Sequence, residues 1–466
     1  MQESKSLEKI LNIGRKIIPK SLFKFAQPIY HYKLALLGAV IYSFPARKLI
    51  VIGITGTKGK TTTVELVNAI LESAGYKTAL ASTLRYKIGD KEWRNMFKMT
   101  LRGRFFTQKF LRQAVDSGCT HAIIEISSEG VPQYRHKFLF LDALIFTNLA
   151  PEHIESHGSY EKYLQAKLSI GKELEGRGNK PMKKVWPSDS EEARGLFEEA
   201  YSRGPVIIAN IDDKEGENFL ELNIKNKIPY SLHDAIAVKS TEKGSSFQIG
   251  KIVIHSKLPG IFNVSNMLGA IAYGRFAGIS PEKIKKGLEE INFIRGRMEK
   301  INWPTGLPAD MEFDIVVDYA HTPDSLKAVY QTYNKYKKIC ILGNTGGGRD
   351  KWKREEMGKI ADKYCDQIIL TNEDPYDEDP MEIVEGVKKG IKRKPCEIII
   401  DRREAINKAI RLAMLTQTDQ NKVAVLITGK GTDPYIMGPK GSRQEWDDAT
   451  VAREELKRIL KNSNHA

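Results

Sequence analysis

Between Gly53 and Thr63 the chain reads GITGTKGKTTT, and these residue types suit the capture of phosphate. Backbone N–H groups of a glycine loop that opens a helix attract phosphate oxygens. Lys60 adds a positive charge where the β- and γ-phosphates would lie, and Thr61 a hydroxyl for Mg²⁺. The usual phosphate loop places four residues between its glycines. Here two separate Gly56 from Gly59 and five separate Gly53 from Gly59, so the loop is a variant. Gly56, Thr57, Lys58, Gly59, Lys60, Thr61 and Thr62 form the candidate nucleotide-binding set. Alone, they do not separate a switch, a motor and a ligase.

Other residues suit the same chemistry. Glu125 closes the apolar run THAIIE, where a strand-end carboxylate beside the loop can hold Mg²⁺ through oxygen. Lys167 lies on a helical stretch, SYEKYLQAKLSIGKEL, where a solvated lysine is the plain reading. Asn266 lies near the start of an apolar helix, where a helix N-terminal role is the plain one. Asp318, Tyr319 and His321 follow the apolar run FDIVV.

The elements that must position these residues alternate. KLIVIGITG reads as a buried strand and KTTTVELVNAILESAG as a helix ended by Gly75. THAIIEISS and LDALIFTNLA read as further strands, and NVSNMLGAIAYGRFAG as a helix. Residues 172–250 are more polar and parse poorly. After GRMEK the alternation restarts with FDIVVDYAH, KKICILGNTGG, DQIILTNED, CEIIID and VAVLITGKG. The pattern predicts an α/β protein: a central parallel-sheet ATPase domain over 49–298 and a Rossmann-like α/β domain over 299–466. A short basic, aromatic arm, 1–48, precedes them. It carries nine Lys/Arg against two Glu, a net charge of +7. Ile17, Ile18, Leu22, Phe23, Phe25, Ile29 and Tyr30 can share a helix face, with Pro19 and Pro28 as breaks. Two readings stay open: a helix packed on the next domain, or a peripheral membrane contact through residues 1–46.

The whole chain carries +15, which suits nucleic acid, membrane, a phosphate-rich ligand or merely a lysine-rich surface. Cys119, Cys340, Cys365 and Cys396 form no C-x-x-C pair, so neither a zinc ribbon nor a redox motif is supported, and four scattered thiols suggest a reducing compartment and a cytoplasmic protein. The run Leu34–Phe44 is about half the length needed to span a bilayer.

Ordered motifs from residue 50 onward resemble the Mur ligase superfamily: TGTKGKTT, EISSEG, TNLAPEHIESHG, YLQAKLSI, GIFNVSNMLGAIA, GRME, DYAHTPDS, GNTGGGRDKWKR and GKGTDPY. Within it they are most similar to the branch that adds the third amino acid to a UDP-linked muramoyl dipeptide. The resemblance implies ATP-dependent amide formation through an acyl phosphate, with ATP and Mg²⁺, a muramoyl-peptide acceptor and an amino acid. It implies Lys60, Glu125, His153 and Lys167 as catalytic, and Thr61, Glu125, His153 and a carbamoylated Lys167 at the metal. Asn266, Arg297, Asp318, Tyr319 and His321 join the nucleotide set. Ser127, Ser128, Arg349, Asp374, Tyr376 and Asp433 become substrate residues. A monomer without nucleic acid is expected. The alternatives are a folylpolyglutamate- or cyanophycin-type ligase, or a nucleic-acid-stimulated ATPase.

The chain also departs from that pattern. Where diaminopimelate-adding relatives have Asp-Asn-Pro-Arg, it has Glu373-Asp374-Pro375-Tyr376, and tyrosine cannot supply the arginine's charge. Glu373, Asp374, Asp377 and Asp433 together suit a cationic amine. Glu152 stands where the family usually has Asp, and the loop GNTGGGRD is one residue longer. The loop comes too early for the usual UDP-binding domain of about one hundred residues, and the arm takes its place. The acceptor is then UDP-linked or lipid-linked.

Overall fold

The computed structural model describes residues 20–152, 154–176, 202–304, 313–348, 351–418 and 420–463. Helix α1 spans Lys20–Ile41 and runs through Pro28, so this proline is not the break expected of it. Strand β1, Ile50–Thr55, is buried at all six positions. A strand apolar on both faces needs covering elements on both sides. Helix α2, Lys60–Ser73, begins at the C-terminal end of β1, and Gly75 (φ 90°) turns the chain after it. Gly75 has no Cβ to resist that left-handed conformation.

Strands β2 (Thr78–Ala81), β3 (Arg85–Ile88) and β4 (Lys91–Arg94) precede helix α3, Arg104–Asp116. Strands β5 (His121–Glu125) and β6 (Ala143–Phe146), helix α4 (Tyr160–Gly171), and strands β7 (Val206–Asn210) and β8 (Asn226–Tyr230) complete the first sheet. Its order is β4-β3-β2-β5-β1-β6-β7-β8. The pairs from β2 to β8 are parallel, and the β3–β4 hairpin forms an antiparallel edge. Ile54 stands opposite Glu125, so the end of β5 lies level with the phosphate loop. A three-stranded antiparallel meander, β9 (Ile236–Thr241), β10 (Gly244–Ile249) and β11 (Ile252–Ser256), leads to helix α5, Ile261–Phe276, which packs on α2.

The second sheet begins at Glu299. Its order is β12-β13-β17-β14-β15-β16, where β12 is Glu299–Lys300, β13 Asp314–Val317, β14 Lys337–Leu342, β15 Gln367–Leu370, β16 Cys396–Ile398 and β17 Val423–Ile427. All pairs but β12–β13 are parallel. Ile341 is in register with Ile427 and Leu342 with Leu370, so three strands end together and release their loops on one side. The parallel-sheet α/β architecture expected from sequence is present.

Two features of the second domain were not legible in the sequence. Cys340 and Cys365 are joined in a disulfide, which corrects the reading of four separate thiols. Their separation carries no motif, because the fold alone brings β14 against the end of the helix before Cys365. The other feature is a buried clamp. Arg402 donates from Nε (2.8 Å) and Nη2 (2.7 Å) to Asp448, with side chains 1% and 0% exposed. The same guanidinium donates to the carbonyls of Asn372 (3.2 Å) and Thr428 (2.8 Å), tying together the loops after β15 and β17. Trp446 Nε1 donates to Asp448 Oδ1 at 2.8 Å.

Removing the anion should leave Arg402 charged and uncompensated inside the domain. Asp448→Ala is expected to destabilise the C-terminal domain by roughly 3–5 kcal/mol, read as an earlier transition in urea unfolding followed by Trp fluorescence. An unchanged transition would contradict the clamp.

Candidate active site

The phosphate loop is shaped by what its glycines leave out. Gly56 has φ 148°, and a Cβ there would lie 1.9 Å from Thr147 Oγ1. Gly59 has φ 80°, and a Cβ there would lie 2.2 Å from Asn266 Oδ1. Asn266 therefore reaches the loop from α5, its amide donating to Asn263 Oδ1 at 3.2 Å. Lys60 folds back, its Nζ donating to the carbonyls of Gly56 (3.0 Å) and Thr57 (2.9 Å). Thr57 Oγ1 lies 2.9 Å from the Tyr163 hydroxyl on α4.

Lys167, also on α4, is 1% exposed, and its Nζ donates to Gly56 O at 2.7 Å. It is not the solvated lysine its helix suggested. Burial, and then the nearby Lys60 charge, hold its pKa well below the usual lysine value. Desolvation penalises the ammonium form, so the amine tends to neutrality.

Glu125 is buried and accepts three hydrogen bonds: from Thr61 Oγ1 (3.0 Å), Thr83 N (2.8 Å) and Thr83 Oγ1 (3.0 Å). A hydroxyl and a carboxylate at this distance, beside a glycine loop with two lysines, form a hard oxygen donor set suited to Mg²⁺ and triphosphate. Thr61 and Glu125 would hold the ion. Residue 153 lies outside the described residues, so the predicted ligand His153 is not placed.

The second domain closes over this loop. Arg297 stacks on Tyr319, 4.7 Å from the ring centroid, and its Nη2 lies 3.5 Å from Thr61 Oγ1. Asp318 accepts from the backbone N–H groups of Met298 and Ala320, both at 2.7 Å. Burial raises its pKa, although Arg297 and those N–H groups oppose the shift. His321 contacts Glu152 Oε1 through Nε2 at 2.8 Å, and Lys58 donates to the other oxygen of Glu152 at 2.8 Å. This chain of contacts crosses from one domain to the other.

Further along the cleft, Asp374 and Asp433 meet two lysines. Lys98, from the loop after β4, lies 2.6 Å from Asp374 and 2.9 Å from Asp433. Lys430, 1% exposed, lies 3.0 Å from Asp374 and 2.9 Å from Asp433. Burial works to raise the Asp374 pKa, but Lys430 and Lys98 hold it below the usual carboxylate range. The expected acidic surplus is therefore corrected: two of its four members are already neutralised by cations. Asp377 is drawn off to the backbone N–H of Lys440, 2.7 Å away. Lys98 and Tyr376 line the same cleft. Glu373 has one oxygen without a partner among the described residues. Thr345 donates to the other at 2.7 Å, and burial and then Asp374 push its pKa up.

A cleft of about 460 Å³ is lined by every described residue of the catalytic, nucleotide and substrate sets, including Ser127, Ser128, Tyr376 and Asp433, but not by Asp377 of the acidic group. Arg349, like His153, lies outside the described residues. Sequence reasoning missed Thr83, Lys98, Glu152 as a bridging group, and Lys430. Lys430 stood within the GKGTD motif, whereas Lys98 and Thr83 lie in loops without any signal.

A phosphate loop with a hydroxyl–carboxylate pair, facing a second α/β domain that closes the cleft, defines a two-domain nucleotide-using ligase. The comparisons agree. Residues 54–274 match the Mur ligase middle domain, and residues 296–431 match the Mur ligase glutamate ligase domain. A UDP-N-acetylmuramoyl-L-alanyl-D-glutamate–2,6-diaminopimelate ligase of Clostridium acetobutylicum is 32% identical over 440 residues, covering 92% of this chain and 82% of that one. The Aquifex aeolicus ligase of the same description is 34% identical over 423 residues, covering 88% and 78%. A solved ligase of this description superposes with TM-score 0.55 at 27% identity over 88% of this chain and 79% of its own. A folylpolyglutamate synthase of Mycobacterium tuberculosis shares the fold, with TM-score 0.63 at 14% identity over 95% and 97%. The chain belongs to the Mur ligase family and is an ATP-dependent ligase.

The close approach at Gly59 yields a direct check. Gly59→Ala is expected to weaken binding of a non-hydrolysable ATP analogue by roughly tenfold or more, since the new methyl must displace Asn266 or unwind the loop. Isothermal titration calorimetry would read it; parental affinity would contradict the geometry.

Proposed function

We propose that this chain forms a peptide bond between the carboxylate of a muramoyl-peptide acceptor and the amine of an amino acid, in peptidoglycan precursor synthesis. The observation that carries the reading is the union, in one cleft, of the phosphate loop with Thr61–Glu125 and of a charged pocket around Asp374 and Asp433. The curated relatives add 2,6-diaminopimelate to UDP-N-acetylmuramoyl-L-alanyl-D-glutamate. Tyr376 and the Lys98–Asp374–Lys430–Asp433 cluster support an amino-acid pocket of different design, so the amine donor is assigned only as an amino acid.

In the reaction, an acceptor carboxylate oxygen attacks the γ-phosphorus of ATP, giving an acyl phosphate and ADP. The amine then attacks the acyl carbon, and the tetrahedral intermediate expels phosphate. Mg²⁺, when bound, neutralises charge developing on the phosphate oxygens. Lys60 supplies a fixed cation at the loop, and the loop N–H groups orient the phosphates. Glu125 is held by Thr61 and Thr83 in one orientation. Arg297, at the junction of the two domains, brings positive charge to the same place. Closure through Glu152 and His321 excludes water from the acyl phosphate.

A depressed pKa also supports carbamoylation of Lys167. The neutral amine adds CO₂ and releases one proton, giving beside Lys60 a carbamate anion suited to a second metal.

Incubation with ATP, Mg²⁺, UDP-muramoyl-dipeptide and a mixture of amino acids, followed by mass spectrometry, tests the reading. The expected product carries one added amino acid less water. Lys60→Ala should slow coupling by a factor on the order of 10²–10³, and Lys167→Ala should slow it comparably when bicarbonate is present. Parental rates in both variants, or no mass increment from any amine, would overturn the proposal.

A further inference from the structure

Helix α1 presents two unlike faces. Ala35, Gly38 and Ala39 are buried, and these small residues let the helix lie close on α3. A Cβ on Gly38 would sit 3.7 Å from the backbone of Arg104. The opposite face is open and apolar: Ile29 is 52% exposed, Leu37 49%, Val40 52% and Ile41 56%, with Leu36 between them. At about 100° per residue these positions span roughly 140° of the helix circumference, with Lys33 near the middle of the stripe. Lys33 is the one charged residue among the exposed positions from Ile29 to Ile41. Tyr30 and Tyr32 are exposed beside the stripe, each an apolar ring with a polar tip.

The surroundings are cationic. Arg104 is bonded to His31 on α1, 2.5 Å away. Arg47 is exposed just beyond the helix, stacked on Phe44 and Phe140. Helix α3 carries Arg104, Lys109 and Arg112 against a single acid, Asp116, which Arg112 already pairs. The whole arm carries +7. No helix among the described residues is long and apolar enough to cross a membrane. A convex, one-helix-wide apolar ridge flanked by tyrosines and arginines matches an interfacial helix lying in the plane of an anionic bilayer.

We propose that α1 docks this ligase on anionic lipid surfaces, its Ile29–Leu37–Val40 face entering the acyl boundary, the Lys33 ammonium extending from that face to the headgroup level, and Arg47 and Arg104 meeting the headgroups. A ridge offers no pocket for a partner's side chains, and its basic flanks select for anionic charge. The proposal is independent of which peptide bond the cleft makes.

The test is cosedimentation of the full chain with vesicles of phosphatidylcholine alone, or mixed equally with phosphatidylglycerol. The full chain should bind the anionic vesicles, release in high salt, and bind neutral ones weakly. The combined variant Leu37→Ser, Val40→Ser, Ile41→Ser should bind about tenfold less or weaker, with an unchanged thermal midpoint because these side chains are already exposed. A chain starting at Lys20 should retain a binding that the same three substitutions abolish. Equal binding by the parent and the substituted chain, no binding by either, or equal binding to neutral vesicles would overturn the proposal. So would light scattering that shows a dimer dissociated by the substitutions, which assigns the face to a second copy.

Discussion

Contact between the phosphate loop and its two neighbours is the constraint on which the site depends. Gly56 lies against Thr147 and Gly59 against Asn266, so closely that no side chain fits at either glycine. One neighbour follows β6 and the other rides on α5, so strand order and helix packing together set the curvature of the loop. That curvature brings the carbonyl of Gly56 within reach of both Lys60 and Lys167. It also sets Thr61 at the start of α2, level with Glu125 across the β1–β5 pair. Thr61 and Glu125 are thus located by the β1–β5 register and the start of α2.

Chemistry on the far side of the cleft depends on a different device. Three parallel strands of the second sheet end together, and the buried Arg402–Asp448 pair ties two of the loops that leave them. Those loops carry Glu373, Asp374, Lys430 and Asp433. The two domains then meet through Glu152, which accepts from Lys58 in its own domain and contacts His321 in the other, and through Lys98, which pairs with Asp374 and Asp433. The Lys98 charge finds its partners in the opposite domain, which limits the cost of excluding water.

Much of this was legible in the sequence, for physical reasons. Buried parallel strands read as continuous apolar runs, and those quoted after residue 300 each contain a strand of the second sheet. The glycine loop announced itself because only a backbone without Cβ can make that turn. The β3–β4 edge hairpin and strand β8 were not separated, since half-exposed strands lack an apolar run, and the buried β7 went unread inside the more polar stretch 172–250. Lys98 and Thr83 were invisible because loop residues acquire a role only through long-range packing. The paired state of Asp374 and Asp433 was likewise hidden. One partner, Lys98, lies more than two hundred residues away in the chain, and proximity in sequence suggested a cluster of acids where the fold builds ion pairs. Pro28 misled because an exposed proline within a helix costs a hydrogen bond without forcing an end.

The central claim is that the cleft passes phosphate to a carboxylate before nitrogen arrives. It is tested most directly by labelling the acceptor carboxylate with ¹⁸O and analysing the phosphate released during coupling. One ¹⁸O atom in each phosphate released per amide formed is the expected result. Phosphate free of the label, with amide still accumulating, would contradict it.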